Sequence, residues 1–177
     1  REFQKVDQTT YFIACGAGVT MEETNLRNLH ESCPAPKQVI LLGPRKDMPR
    51  VYPAFDLATL SSAYGEGLPL TLCEAIACGV PGVVTDVGDS ADVIGDCGKV
   101  VPPSDPVALA NAWLEMLGLS DEAWRSLRQQ ARARAEERFA LPAIAAKYEN
   151  LYGALIETAK GRGNVSPPVG VAHPAVI

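Results

Sequence analysis

Tyr64-Gly65-Glu66-Gly67-Leu68-Pro69-Leu70-Thr71-Leu72-Cys73-Glu74-Ala75-Ile76-Ala77-Cys78-Gly79-Val80-Pro81 is the stretch on which the reading of this chain turns. Ser61 to Pro69 reads as a loop. Pro69 suits the first position of a helix, where a missing N–H leaves no hydrogen bond unmade. The helix it opens runs from Leu70 through Cys78 and stops at Gly79, a common carboxyl-terminal cap. Val80-Pro81-Gly82-Val83-Val84-Thr85 then supplies an apolar run of strand type.

The same alternation extends in both directions, which is the pattern of an α/β domain built on a parallel sheet with helices on both faces. Upstream, Tyr11 to Cys15 is a buried strand closed by Gly16-Ala17-Gly18. Met21 to Ser32 is a surface helix, and Val39 to Leu42 a second strand stopped by Gly43-Pro44. Met48 to Ala54 is a short helix containing Pro49 and Pro53, and Leu57 to Leu60 a third strand. Downstream, Asp86-Val87-Gly88-Asp89-Ser90 reads as a turn at a strand end, and Gly98 to Val101 as a fifth strand. Ser104 or Asp105 caps a helix from Pro106 to about Leu117. Ser120 precedes Asp121-Glu122 and a helix reaching about Phe139, whose arginines read as a solvated face. Leu141 to about Lys160 is the last helix, with Ile144, Tyr148, Leu151, Tyr152 and Leu155 at helical spacing. Trp113 and Trp124 fall in helical patterns and read as packing residues. Residues 1–160 are expected to form one lobe, and 161–177, rich in Gly, Pro and Val, a flexible tail.

Composition sets the bounds. The 177 residues suit one domain of ordinary size, 47% hydrophobic and 21% charged. A net charge of -5 argues against nucleic acid as a partner, since phosphate backbones are held by clustered Lys and Arg. The odd count of five cysteines, with no C-x-x-C pair, points to reduced thiols in a cytoplasmic protein. His30 and His173 lie far from any cysteine cluster, so zinc is not expected. Asp86 and Asp89 lack the further ligands that a magnesium cage needs. No apolar run approaches the roughly 18 residues of a membrane span, and the amino-terminus, Arg1-Glu2-Phe3-Gln4-Lys5, is no signal peptide.

The chemistry is concentrated in the stretch quoted first. Glu66 and Glu74 are separated by seven residues, with a glycine and a helix start between them. Gly67 has no side chain, so a ligand can approach its backbone. Around Leu68, Leu70, Thr71 and Leu72 the first N–H groups of the helix lack intrahelical partners and, with the helix dipole, favour an anion such as a diphosphate. A carboxylate beside a phosphate is useful as an acceptor of hydrogen bonds from hydroxyls. Two glutamates bracketing an anion site therefore fit a ligand with phosphates in the middle and hydroxyl-rich sugars at both ends. A nucleotide sugar is such a ligand.

These residues also carry a family resemblance. Gly65-Glu66-Gly67-Leu68-Pro69, Glu74-Ala75-Ile76-Ala77-Cys78-Gly79-Val80-Pro81 and Val83-Val84-Thr85-Asp86-Val87-Gly88 resemble the E-x7-E signature of family 4 retaining glycosyltransferases of the GT-B fold. Cys15-Gly16-Ala17-Gly18 is similar to that family's glycine-rich turn. Leu42-Gly43, with Asp47 and Val51, is similar to its next strand and loop. Val100 to Pro106 resembles the approach to its carboxyl-terminal helices. The resemblance runs in order over roughly residues 10 to 155. It implies the donor-binding, carboxyl-terminal lobe of a GT-B enzyme that transfers a sugar from a UDP-, GDP- or ADP-sugar without metal or other cofactor and with retention. Glu74 would hold the ribose and Glu66 the transferred sugar. Gly67, Leu68, Pro69 and Leu70 would lie beneath that sugar, with Leu70, Thr71 and Leu72 near the diphosphate. Gly16 and Arg45 would line the nucleotide side.

Two departures qualify this expectation. The family carries an Arg and a Lys upstream of the glycine-rich turn that neutralise the leaving diphosphate. Only fifteen residues precede Gly16, and Arg1 and Lys5 do not fit that pair. The acceptor-binding amino-terminal domain is also missing from this sequence, so the chain alone is expected to transfer little or nothing. Any peripheral membrane contact is expected through that missing domain. The alternatives are a non-catalytic nucleotide-sugar-binding or docking module, one subunit of a split transferase, and a sugar-nucleotide epimerase, the last disfavoured by the E-x7-E segment.

Overall fold

The computed structural model describes residues 9–161, so the expectations for Arg1, Lys5, His173 and the tail beyond Gly161 lie outside the described residues. The chain divides into two compact units between Glu137 and Arg138.

In the first unit the elements run β1 (Phe12–Ala14), α1 (Thr24–Glu31), β2 (Val39–Leu41), α2 (Met48–Val51), β3 (Ala58–Leu60), α3 (Leu70–Ala77), β4 (Gly82–Thr85), α4 (Ser90–Ile94), β5 (Gly98–Val101), α5 (Pro106–Leu117) and α6 (Asp121–Arg138). Every strand pairing is parallel, with β1 against β2 and with β3, β4 and β5 in that order. The expected α/β class is therefore observed, but the ladders form two sheets rather than one. Between β1 and β3 contact runs through a side chain of α5. The Trp113 ring lies 5.2 Å from the Phe12 ring, and its Nε1–H donates to Thr59 Oγ1 at 3.0 Å.

β4 is buried along its whole length, which explains its unbroken apolar sequence. On one face Val83 packs with Val101, Ala112 and Met116, backed by Trp113 and Trp124. Both tryptophans are packing residues, as expected. On the other face Tyr52, Ala75 and Val80 form a second cluster with Met48, Phe55 and Ala58. Helices thus cover both faces of β3–β4–β5, as the alternating sequence predicts.

The helix ends follow their sequence signals with three adjustments. Pro69 is the N-cap of α3, one residue earlier than the position expected of it. Asp105, rather than Ser104, caps α5, accepting from Val107 N at 3.1 Å and Ala108 N at 2.9 Å. α4 follows the Asp86–Asp89 turn directly, and its five residues are too few to show a helical period. At the other end of α3, Gly79 adopts φ +70°, with Gly79 N donating to Ile76 O at 2.9 Å and Val80 N to Ala75 O at 3.0 Å. That pair of bonds is a Schellman closure.

The arginines of α6 are not simply a solvated face. Arg132 donates to Ala77 O at the end of α3, and Arg134 donates to Asp92 O and, at 2.8 Å, to Val93 O near the end of α4. Arg128 reaches Phe55 O at 3.4 Å. Guanidinium groups placed on the last carbonyls of a helix meet both the unfilled acceptors and the negative dipole end.

The second unit contains α7 (Leu141–Gly161), with the bounds expected of it. Its Tyr148 and Tyr152 rings lie 5.9 Å apart, and Leu151 and Leu155 of the same helix are exposed.

Two substitutions test these closures. Asp105→Ala removes the Oδ1 that accepts both amide bonds at the start of α5 and is expected to cost about 1 kcal/mol. Gly79→Ala forces a side chain into a left-handed position where its Cβ would lie 3.2 Å from Arg128 O, and is expected to cost about 1 kcal/mol or more. Urea denaturation of both variants measures the losses.

Candidate functional site

The loops that follow β1, β2, β3 and β4 all leave the carboxyl ends of parallel strands, the edge at which open α/β sheets bind ligands. The loop after β3 carries Glu66 and leads into α3, which carries Glu74.

The entrance to α3 is open. Pro69 is buried and extended, and its carbonyl accepts from Leu72 N at 3.0 Å and Cys73 N at 3.2 Å. The amides of Leu70 and Thr71 make no such bond among the described residues. Proline offers no side-chain oxygen to cap them. Leu72 departs from expectation. Its amide is taken by Pro69 and its side chain is 2% exposed, so it belongs to the core rather than to the anion-facing donors. Leu70 and Leu68 are exposed, and a Cβ on Gly67 would meet nothing within 4 Å. Gly67 therefore leaves free space where a side chain would stand.

Glu66 is half-buried and fixed from below. Ser62 Oγ donates to Glu66 Oε1 at 2.5 Å, and Thr85 Oγ1 donates to Ser62 O at 2.6 Å. The loop is also pressed by the turn after β4. Asp89 N donates to Gly67 O at 3.1 Å, and a Cβ on Gly88 would overlap the carbonyl oxygen of Glu66. Glu74, one turn into α3, is exposed, and its Oε2 accepts from the buried Tyr52 hydroxyl at 2.9 Å. Burial and, after it, the hydrogen bond to Glu74 push the Tyr52 phenol well above its ordinary range. It therefore remains a proton donor at neutral pH. Each glutamate thus has a neutral hydroxyl donor on one oxygen and acceptor capacity left over.

Comparison with known proteins now identifies the frame. Residues 1–118 match the family model described as glycosyl transferases group 1. The chain belongs to the glycosyl transferases group 1 family. An exopolysaccharide phosphotransferase of Streptomyces coelicolor is 38% identical over 137 residues, which are 75% of this chain and 14% of that protein. The N-acetyl-alpha-D-glucosaminyl L-malate synthase of Bacillus anthracis is 32% identical over 129 residues, 72% of this chain and 32% of its own length. The chain thus spans less than a third of either relative. Among solved structures, Anabaena HepE in complex with UDP superposes with a TM-score of 0.73 at 22% identity, over 85% of this chain and 42% of that one. This likeness shows the fold, the Rossmann-like α/β architecture of GT-B transferases.

Within this group 1 domain, the remaining expected residues lie in the loops that follow β1 and β2. Gly16 N donates to Gly43 O at 2.9 Å, tying the ends of β1 and β2 together. Arg45 is exposed and paired with Asp47, through Nε at 2.8 Å and a second guanidinium nitrogen at 2.6 Å. That pairing lowers the Asp47 carboxyl below its usual range and raises Arg45. A phosphate would have to compete with this bidentate pair. A depression of about 330 Å³ lined by Cys78, Gly79, Arg128 and Arg132 lies at the opposite end of α3, where Arg132 caps Ala77. Its lining already has that structural role. Among the described residues no three His, Cys, Asp or Glu side chains gather in one place.

Tyr52 and Ser62 are residues that the sequence did not single out, and Thr85 and Gly88 stood only within the resemblance, with no supporting role assigned to them. A lone Tyr or Ser has no local pattern, and |i−j| separations of 22 and 23 hide the Tyr52–Glu74 and Thr85–Ser62 bonds from any window of sequence. Gly88→Ala is expected to displace the Glu66–Gly67 peptide and lower the melting temperature by several degrees, corresponding to about 1–3 kcal/mol. Calorimetric melting against the unchanged chain measures it.

Proposed function

We propose that this chain is the donor-binding, carboxyl-terminal lobe of a family 4 glycosyltransferase, which transfers a sugar from a nucleoside-diphosphate sugar with retention at the anomeric carbon. The observation that carries the reading is the α3 entrance. Two unpartnered amides, of Leu70 and Thr71, lie in chain order between Glu66 and Glu74, whose carboxylates are each steadied by a buried or half-buried hydroxyl.

In this reading the diphosphate meets the Leu70 and Thr71 amides and the positive end of the α3 dipole. Charge that builds on the leaving diphosphate is stabilised there by donors already in place. Glu74 accepts the ribose hydroxyls through the capacity that Tyr52 leaves free. Glu66 accepts a hydroxyl of the transferred sugar, which lies over the open backbone of Gly67. Gly16 and the loop after β2, with Arg45, flank the nucleoside. Transfer is proposed to be metal-independent, as the resemblance to family 4 implies. The acceptor lies on a part of the enzyme beyond this lobe, and the lobe alone transfers little.

Relatives support the donor class. HepE was solved with UDP and with UDP-glucose. An Escherichia coli relative, 37% identical over 84 residues, is an O-antigen chain mannosyltransferase. The Streptomyces relative favours a second reading. It is named a phosphotransferase, and this chain spans 14% of it. The segment could then act as a nucleotide-sugar-binding module of a larger protein whose main chemistry lies elsewhere.

Isothermal titration with UDP-, GDP- and ADP-sugars tests the proposal. One nucleotide class is expected to bind, and Glu74→Ala is expected to weaken it by about 1–3 kcal/mol, the scale of hydrogen bonds left unmade. Equal binding by both forms contradicts the ribose role. Transfer by a longer protein containing this lobe separates the two readings.

A further inference from the structure

Tyr52 lies outside the loop and helix that hold the proposed ligand contacts, yet it bonds to one of them, Glu74. It is 6% exposed and sits in the turn that follows α2. Its ring packs edge-on against Phe55, at 6.2 Å and 87°, within the cluster that includes Ala75 and Val80 of the α3 region. A ring clamped in this way has little freedom, so its hydroxyl points in a fixed direction. That direction is toward Glu74 Oε2, 2.9 Å away. Among the described residues no other protein group bonds to the Glu74 carboxylate.

Glu74 itself is on the exposed side of α3. A glutamate there has several rotamers open to it and loses entropy when a ligand fixes one. A buried phenol that donates to one oxygen selects a rotamer before the ligand arrives. It uses one acceptor position on Oε2 and leaves Oε1 whole. The carboxylate is then held with its free edge available to two neighbouring hydroxyls, as in a vicinal diol.

We propose that Tyr52 is a positioning residue, whose hydroxyl sets the Glu74 carboxylate to accept the ribose diol and so makes the site prefer ribonucleotides over deoxyribonucleotides. This rests on the ribose role of Glu74 proposed above. Tyr52 acts through Glu74 and touches no ligand atom.

The test uses the 177-residue chain, its Tyr52→Phe form and its Glu74→Gln form. The probes are UDP, GDP and ADP, each beside its 2′-deoxy counterpart, with affinity read by titration calorimetry and folding by a melting curve. Tyr52→Phe keeps the ring and its packing and removes the hydroxyl alone. The unchanged chain is expected to prefer one ribonucleotide by about tenfold, and Tyr52→Phe to reduce that preference at least about threefold because the deoxy counterpart, which keeps only the 3′-hydroxyl, weakens less than the ribonucleotide. A Tyr52→Phe form that keeps the full preference overturns the positioning role while Glu74→Gln, by losing it, leaves the ribose role standing. A Tyr52→Phe form that weakens both nucleotides equally also overturns it, because general loosening of the fold would do that. If the unchanged chain binds none of the diphosphates, or Glu74→Gln keeps the preference, the ribose role itself fails and the positioning role with it.

Discussion

β4 is buried on both faces, and the rest of the candidate site follows from that constraint. A strand with no solvent-facing side must be covered twice, so α5 packs over Val83 while the residues around α3 and α4 close the other side. The strand ends at Thr85, which is 3% exposed. A buried hydroxyl needs a partner, and Thr85 finds it in the carbonyl of Ser62, 23 residues earlier. Ser62 in turn holds Glu66. The position of a loop carboxylate is thereby set by the burial of the strand that follows α3.

The two ends of α3 are treated in opposite ways. Its carboxyl end is closed twice over, by the Gly79 turn and by Arg132 on Ala77. Its amino end begins at a proline that can offer no side-chain cap, and two amides there remain open. A helix built only for stability would be expected to close both ends, since each unmet group costs free energy when water is excluded. Closing the negative pole with a guanidinium while leaving the positive pole free suits a helix that meets an anion at its start.

Much of this was legible in the sequence because the signals are local. Apolar runs of three to four residues, Pro69 and Gly79 at the two ends of a helix, and Ser120 before an acidic first turn each act within a few residues. That Glu66 and Gly67 precede a helix start and that Leu70 and Thr71 open the helix could be read from their order alone. What could not be read is long-range. The supports of the glutamates, Tyr52 and the Thr85–Ser62 pair, are separated from their partners by two dozen residues or fewer in sequence but by whole elements in the fold. The α6 arginines look like a charged surface in the sequence, yet Arg132 and Arg134 reach carbonyls on helices that only folding brings near. Leu72 is periodic with its neighbours, but its amide is bound only because Pro69 takes the N-cap position.

The central claim is that the open amides at the start of α3 receive the diphosphate. Backbone amide chemical shifts, followed by nuclear magnetic resonance during titration with UDP, GDP and ADP, test it most directly. The account predicts that one nucleotide moves the Leu70 and Thr71 signals most, with smaller shifts at Gly67. A nucleotide that binds while leaving both amides unmoved, or no binding at all, would contradict it.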